Sequence, residues 1–227
     1  ESVKNSLYNF IANYNRVLTE INILTSNQES VIEEISYFEE GEREAAREKL
    51  GLFQGESTFM QLKNRIQRIV ASPYETSAGD RLSMLSQMGI STNASGFGGS
   101  VTRSRLRGYL EVDESQLDYV LERRLLAVKQ LFGRDTDGDM VVDSGLAYEM
   151  NQYVRNYTQT GGVIATRISG IENRISETNE DINDFKDRLE RKEQDLQRKY
   201  GRMESNLGQL EKNQQAIENF QSQNSNQ

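Results

Sequence analysis

From Ile164 to Phe220 the chain has no proline and hardly any glycine, and apolar residues recur there in alternating steps of four and three. The step visits Ile164, Ile168, Ile171, Ile175, Thr178, Ile182, Phe185 and Leu189, then Lys192, Leu196, Lys199, Met203, Asn206, Leu210, Asn213, Ile217 and Phe220. A seven-residue repeat kept for this distance specifies a left-handed supercoil. At about 1.5 Å per residue the helix would measure on the order of 85 Å, longer than a globular core usually accommodates. The segment reads as an extended leg. Its stripe changes along the way: the first four seam positions are all isoleucine, and beyond them only one column stays apolar. That column, Ile182, Leu189, Leu196, Met203, Leu210 and Ile217, together with Phe220, is the candidate assembly seam. The other column turns polar at Lys192, Lys199, Asn206 and Asn213. One buried apolar residue per heptad contributes roughly 1.5–3 kcal/mol, against about 1–2 kcal/mol of backbone entropy for every residue ordered. The distal part is therefore expected to need a partner strand or a crowded assembly, and the Asn/Gln/Ser-rich tail after Glu218 to be mobile.

Upstream, Val3, Leu7, Phe10, Ile11, Tyr14, Leu18, Ile21 and Leu24 place one apolar face on an opening helix. Val31, Ile35 and Phe38 predict a second helix that leads into the charged stretch Glu39–Lys49, a solvated face in which Glu44 and Glu48 sit near Arg43 and Arg47. The turn Gly51–Gly55 precedes a helix capped by Ser57 or Thr58, carrying Phe59, Leu62, Ile66, Ile69 and Val70 and ended by Pro73. Leu85–Ser91 and Gly108–Val112 are expected to pair as a hairpin with a Gly-rich tip. In that tip Arg103, Arg105 and Arg107 alternate, which suits a solvated edge strand or a contact strip for an acidic neighbour. Asp113 with Gln116 has capping-box spacing and opens a helix carrying Leu117, Val120, Leu121, Leu125, Val128 and Leu131. Another helix is predicted from about Gly145 to Tyr157. The fold class is mainly α (α+β): a helical core domain with a small sheet over residues 1–177, then a coiled-coil leg over 178–227.

Composition removes whole classes of function. The chain has no cysteine and no histidine, so disulfides, thiol nucleophiles, imidazole bases and His- or Cys-ligated zinc are excluded. No phosphate-binding loop or nucleophile elbow accompanies its 35 Asp and Glu residues, and the chain reads as a non-enzyme. A formal charge of −8 opposes nucleic-acid binding. Its longest apolar run, Leu125–Val128, is far short of a membrane span. Because the chain opens at Glu1 within a helical pattern, it reads as a fragment or processed product, with any targeting signal out of view.

One loop has metal-ligand character. Asp135, Asp137, Asp139 and Asp143 occupy the first, third, fifth and ninth places of an EF-hand-like calcium loop. The sixth place is Met140 instead of glycine and the twelfth is Leu146 instead of glutamate, so the usual turn residue and bidentate ligand are absent. The other reading is an Asx-rich turn that caps the next helix through Asp143 or Ser144.

Several stretches, in order, carry a resemblance. They are Phe10-Ile11-Ala12-Asn13-Tyr14-Asn15, Gly51-Leu52-Phe53-Gln54-Gly55-Glu56-Ser57-Thr58, Leu85–Thr92 ending in Met88-Gly89-Ile90-Ser91-Thr92, and Tyr109–Asp113 with Leu117. Val128–Phe132, Gly145-Leu146-Ala147 and Gly162-Val163-Ile164 complete the series. Each is short, but together they resemble the C-terminal region of the flagellar hook-associated protein 2 family, the filament cap. The resemblance implies that the two chain ends pair in a coiled-coil leg below a helical domain with a small sheet, with outer domains inserted earlier in the chain. It also implies a homo-oligomeric ring, usually a pentamer, that guides flagellin into the filament tip. Partners would include hook–filament junction proteins and a flagellar export chaperone. Location would be the flagellum tip, reached by the flagellar secretion route, outside the cell or in the periplasm where flagella are internal. The chain departs from the family pattern in its longer Gly-rich tip and its acidic loop.

Two other classes compete. A calcium-dependent secreted adhesin with a coiled-coil stalk would use the acidic loop and carry a signal peptide and repeats upstream. A carboxylate glycosidase would need a defined acid pair, and none stands out here.

Overall fold

The computed structural model describes residues 2–92 and 106–224, with side chains described to residue 217. The chain divides into two compact units, Glu1–Asn156 and Tyr157–Gln227. This division lies upstream of residue 177, where the sequence placed it, because one uninterrupted helix already runs through that position.

In the first unit α1 (Ser2–Thr25) turns Leu7, Ile11, Tyr14, Leu18 and Ile21 inward, at the steps of three and four read from the sequence. Val3, in its first turn, is exposed. The predicted second helix is in fact two: α2 (Ser30–Glu33) and α3 (Glu40–Lys49). The cause is local. Glu39 takes an extended conformation and forms a capping box with Glu42, which restarts the helix. Val31, Ile32 and Ile35 then pack with Ile23 and Ala46 in a small core. Arg43 and Arg47 do not serve Glu44 and Glu48 as expected. Arg43 donates to the carbonyls of Ile32 and Ile35, the open end of α2, and Arg47 pairs with Glu29 and Glu40.

Gly51 has φ +72, and its N–H donates to Ile23 O while Phe53 N–H donates to Leu24 O. The turn thereby satisfies carbonyls at the end of α1. Glu56 is the N-cap of α4 (Ser57–Ala71), one residue before the predicted Ser57, and the helix stops two residues ahead of Pro73. Leu62, Ile66, Ile69 and Val70 face the core.

The expected hairpin is shorter than predicted. Leu85–Met88 forms a 3-10 turn, because Gln87 Oε1 accepts from Ser83 and Met84 N–H and winds the backbone tight. Gly89 then turns at φ +80, and only β1 (Ile90–Ser91) pairs with β2 (Glu111–Val112), antiparallel, with Ile90 opposite Val112. α5 (Glu114–Phe132) begins at Asp113, whose carboxylate accepts from Gln116 N–H. The Gln116 side chain donates to Gln87 O, so the capping box is half formed. At Arg124 the backbone leaves helical angles (φ −139, ψ 33), and the guanidinium donates to Arg81 O. The break re-phases the buried face: Leu117, Val120, Ala127, Val128 and Leu131 are buried, whereas the expected core residue Leu125 is half exposed. α6 (Leu146–Thr158) follows the acidic loop. In the second unit, α7 spans Val163–Asn224, 62 residues.

Candidate assembly surface, clamp and acidic loop

Two of the sequence signals meet on α1. Tyr14 and Asn15, from the aromatic–Asn motif, hold the segment entering β2. Asn15 Nδ2 donates to Leu110 O at 2.9 Å and Leu110 N–H donates to Asn15 Oδ1 at 2.7 Å, the two-bond pattern of a strand neighbour supplied by a side chain. Tyr14 Oη donates to Gly108 O, and burial raises the Tyr14 phenol above its ordinary range. Two turns further, Asn22 Nδ2 donates to Arg107 O and its oxygen accepts from Lys63 Nζ. Burial, then the nearby Arg107 cation, lowers the Lys63 pKa. The Arg107 guanidinium pairs with Glu34 at 3.1 Å and reaches Ser30, with both charged side chains at most 20% exposed. Arg107 is thus a core staple and not part of a solvated edge strip; Arg103 and Arg105 lie outside the described residues.

The acidic loop is closed at its base by a backbone bridge between Arg134 and Ser144. Asp135 accepts from Gly138 and Met140 N–H, and these two donors hold its carboxyl below the ordinary range. Asp143 accepts from the N–H and hydroxyl of Thr136. Carboxylate oxygens of Asp135, Asp137 and Asp143 lie within 4.8 Å of one another, a set able to offer hard ligands to a divalent cation. Asp139 is not among them; its carboxylate accepts from Val141 N–H. Met140, at the place of the usual glycine, does adopt the left-handed turn, at φ +70. The twelfth place, Leu146, is fully buried and offers no side-chain ligand. The expected helix cap at Asp143 or Ser144 is displaced, since α6 starts at Leu146 and Asp143 is turned back to Thr136.

Along α7 the apolar stripe is exposed. Ile182, Leu189, Leu196, Met203, Leu210 and Ile217 have between 42% and 63% of their surface open. Phe220 falls where side chains lie outside the described residues. Tyr200 and Leu207, each one place past a polar seam position, are exposed as well and widen the distal stripe. Reading the two seam columns alone missed them; their flanking heptad places were the available signal. A second apolar surface, on the first unit, was also missed. Val3, Leu7, Phe10, Leu125, Leu126 and Phe132 line a groove of about 630 Å³, created where the Arg124 break turns two consecutive leucines outward. Among the described residues no helix is long and apolar enough to cross a membrane.

The family model for the C-terminus of flagellar hook-associated protein 2 matches residues 1–212. Flagellar hook-associated protein 2 of Treponema maltophilum is 43% identical over 80% of this chain and 27% of its own length. The protein of the same name from Treponema pallidum is 37% identical over 78% of this chain and 24% of its own length. The D1-D2-D3 domains of the flagellar cap protein FliD from Escherichia coli align over 63% of this chain and 32% of theirs, with 19% identity and a TM-score of 0.41. This chain spans about a quarter of the length of these curated relatives. With nearly the whole sequence matched in one model, the chain belongs to the flagellar hook-associated protein 2 family, in the portion defined by its C-terminus.

Proposed function

We propose that the chain forms part of a structural cap that promotes flagellin polymerisation at the tip of the flagellar filament, with no covalent step. The observation that carries this reading is the exposed seam of α7. An apolar stripe continued over 62 helical residues, with polar residues in every second seam position of its distal half, suits a leg ordered by its neighbours. Such an element can bind and release subunits through many weak contacts, which is what guiding polymerisation requires. Family membership supports the same reading. The cap is a homo-oligomeric ring, five copies by the family's usual pattern. Its partners are flagellin, the hook–filament junction proteins and a flagellar export chaperone. It is exported by the flagellar route to the filament tip, outside the cell or in the periplasm where flagella are internal.

The test is Leu196→Asp or Leu210→Asp in the full-length protein. Each should abolish filament growth while near-ultraviolet dichroism of the first unit stays unchanged, since both residues are exposed on α7. Filaments of normal length and normal motility in both variants would overturn the assembly role of the leg.

A further inference from the structure

Beyond Leu189 the two seam columns of α7 diverge. One keeps Leu196, Met203, Leu210 and Ile217, which are 42–63% exposed, and the other sets Lys192, Lys199, Asn206 and Asn213 in the same stripe. The two lysines differ from the cations beside them. Arg191 Nε donates to Asp187 O and Arg198 pairs with Asp195 at 2.7 Å, so these arginines are engaged within the helix. Among the described residues Lys192 and Lys199 have no side-chain hydrogen bond or ion pair, and both are exposed. Whatever covers this face must therefore receive two ammonium groups inside an otherwise apolar stripe. A cation taken out of water and left unpaired is strongly unfavourable, so the cover has to bring carboxylates. A second copy of α7 has none to bring in its seam: from Ile164 to Phe220 no seam place holds Asp or Glu. Parallel copies set each column on itself, so Lys192 meets its own equivalent in register and Lys199 after a slip of one heptad. Antiparallel copies set the polar column on the apolar one, so each lysine meets isoleucine, leucine or methionine. Opposed like charges and a cation laid on apolar side chains are both unfavourable. On the flank Glu193 stands beside Lys192, but the same place beside Lys199 holds Tyr200.

We infer that Lys192 and Lys199 determine which helix the distal half of α7 accepts: they deny it to copies of α7 and select a helix of unlike sequence that sets carboxylates against both. Polar residues placed in a seam fix its partner at a cost in stability. The apolar column supplies the attraction, and the two ammonium groups decide which helix receives it. That helix is assigned to the remainder of the polypeptide. The chain spans about a quarter of the length of its relatives, and a partner on the same polypeptide has the high effective concentration that a seam with one apolar residue per heptad needs. The inference deepens the leg reading and rests on it only in taking the leg to have a neighbour.

The first arm of the experiment uses this chain. Lys192→Leu combined with Lys199→Leu should tighten its self-association, read by sedimentation, about tenfold, because the refused layers become apolar. Arg191→Leu combined with Arg198→Leu adds the same apolar surface one place away, outside the seam, and should leave association at the parent value. A seam variant that associates no more tightly than the parent, or an equal rise in both variants, would overturn the refusal of copies. The second arm uses the full-length protein and reads hydrogen exchange of the α7 amides from Leu189 to Met203. Lys192→Glu combined with Lys199→Glu should lower protection there about tenfold, since carboxylates then face carboxylates. Lys192→Arg combined with Lys199→Arg should keep the parent protection. Parent protection in the glutamate variant, or an equal loss in the arginine variant, would overturn the carboxylate-bearing partner. Neither arm reads filament growth, so a failure here and a failure of the Leu196→Asp test are told apart.

Discussion

Replacing Asn15 by alanine should unfasten the segment that leads into β2. The side chain makes two hydrogen bonds to Leu110 backbone, at 2.9 and 2.7 Å, and Leu110 is 4% exposed. Each bond contributes about 0.5–1.5 kcal/mol net, and an N–H or C=O left unpaired in a buried place costs about 1–3 kcal/mol. Partial access of water after truncation offsets some of this, so the expected loss is about 2–4 kcal/mol. With a urea dependence of roughly 2 kcal/mol per molar, the unfolding midpoint should fall by about 1–2 M. Because the chain has no tryptophan and α7 adds a 62-residue helical signal of its own, unfolding of the first unit is best followed by near-ultraviolet dichroism of its buried tyrosines, Tyr14 and Tyr74. Asn15→Asp keeps the acceptor for Leu110 N–H but turns a second oxygen toward Leu110 O, so its midpoint should lie between the alanine variant and the parent. A midpoint for Asn15→Ala within about 0.25 M of the parent, equal to about 0.5 kcal/mol, would refute the clamp as a stabilising element.

Removing one partner of the Arg107–Glu34 pair leaves a largely buried charge uncompensated, so Arg107→Ala or Glu34→Ala should cost on the order of 2–4 kcal/mol. The double variant should cost clearly less than the sum of the two, as a double-mutant cycle in urea will read. Asp135 should titrate below the ordinary aspartate range when followed by carbon-detected magnetic resonance, because Gly138 and Met140 N–H favour its ionised form. A lowered folded-state pKa means its support of the loop is complete above about pH 4 and lost as pH falls through the depressed value; an ordinary titration midpoint would contradict the hydrogen-bond assignment. Because the loop carboxylates already accept backbone and Thr136 donors, and the twelfth place lacks a ligand, the melting temperature in calcium and in chelator should agree. A rise of about 3 °C or more with calcium would instead assign Asp135, Asp137 and Asp143 as its ligands.

What the residues determined alone is what short-range physics can decide. The heptad from Ile164 onward specifies a long helix because its order depends on neighbours three and four places away, and α7 is continuous for that reason. Pro73 after α4, the Asp113–Gln116 cap and the glycine turn at Gly51 are likewise settled within a few residues. The exposed seam positions were legible too, since composition along one face does not need the rest of the fold. Other features were decided at long range. Nothing near Asn15 or Tyr14 announces a contact with residues 108–110, and nothing near Arg107 points to Glu34, 73 residues away. At the break the Arg124 guanidinium donates to Arg81 O, 43 residues away, and just past it Leu125, an expected core residue, lies half exposed. A side chain's periodic position tells which face it occupies, but the partner that rewards burial or redirects a backbone lies elsewhere in the chain, and only folding brings the two together.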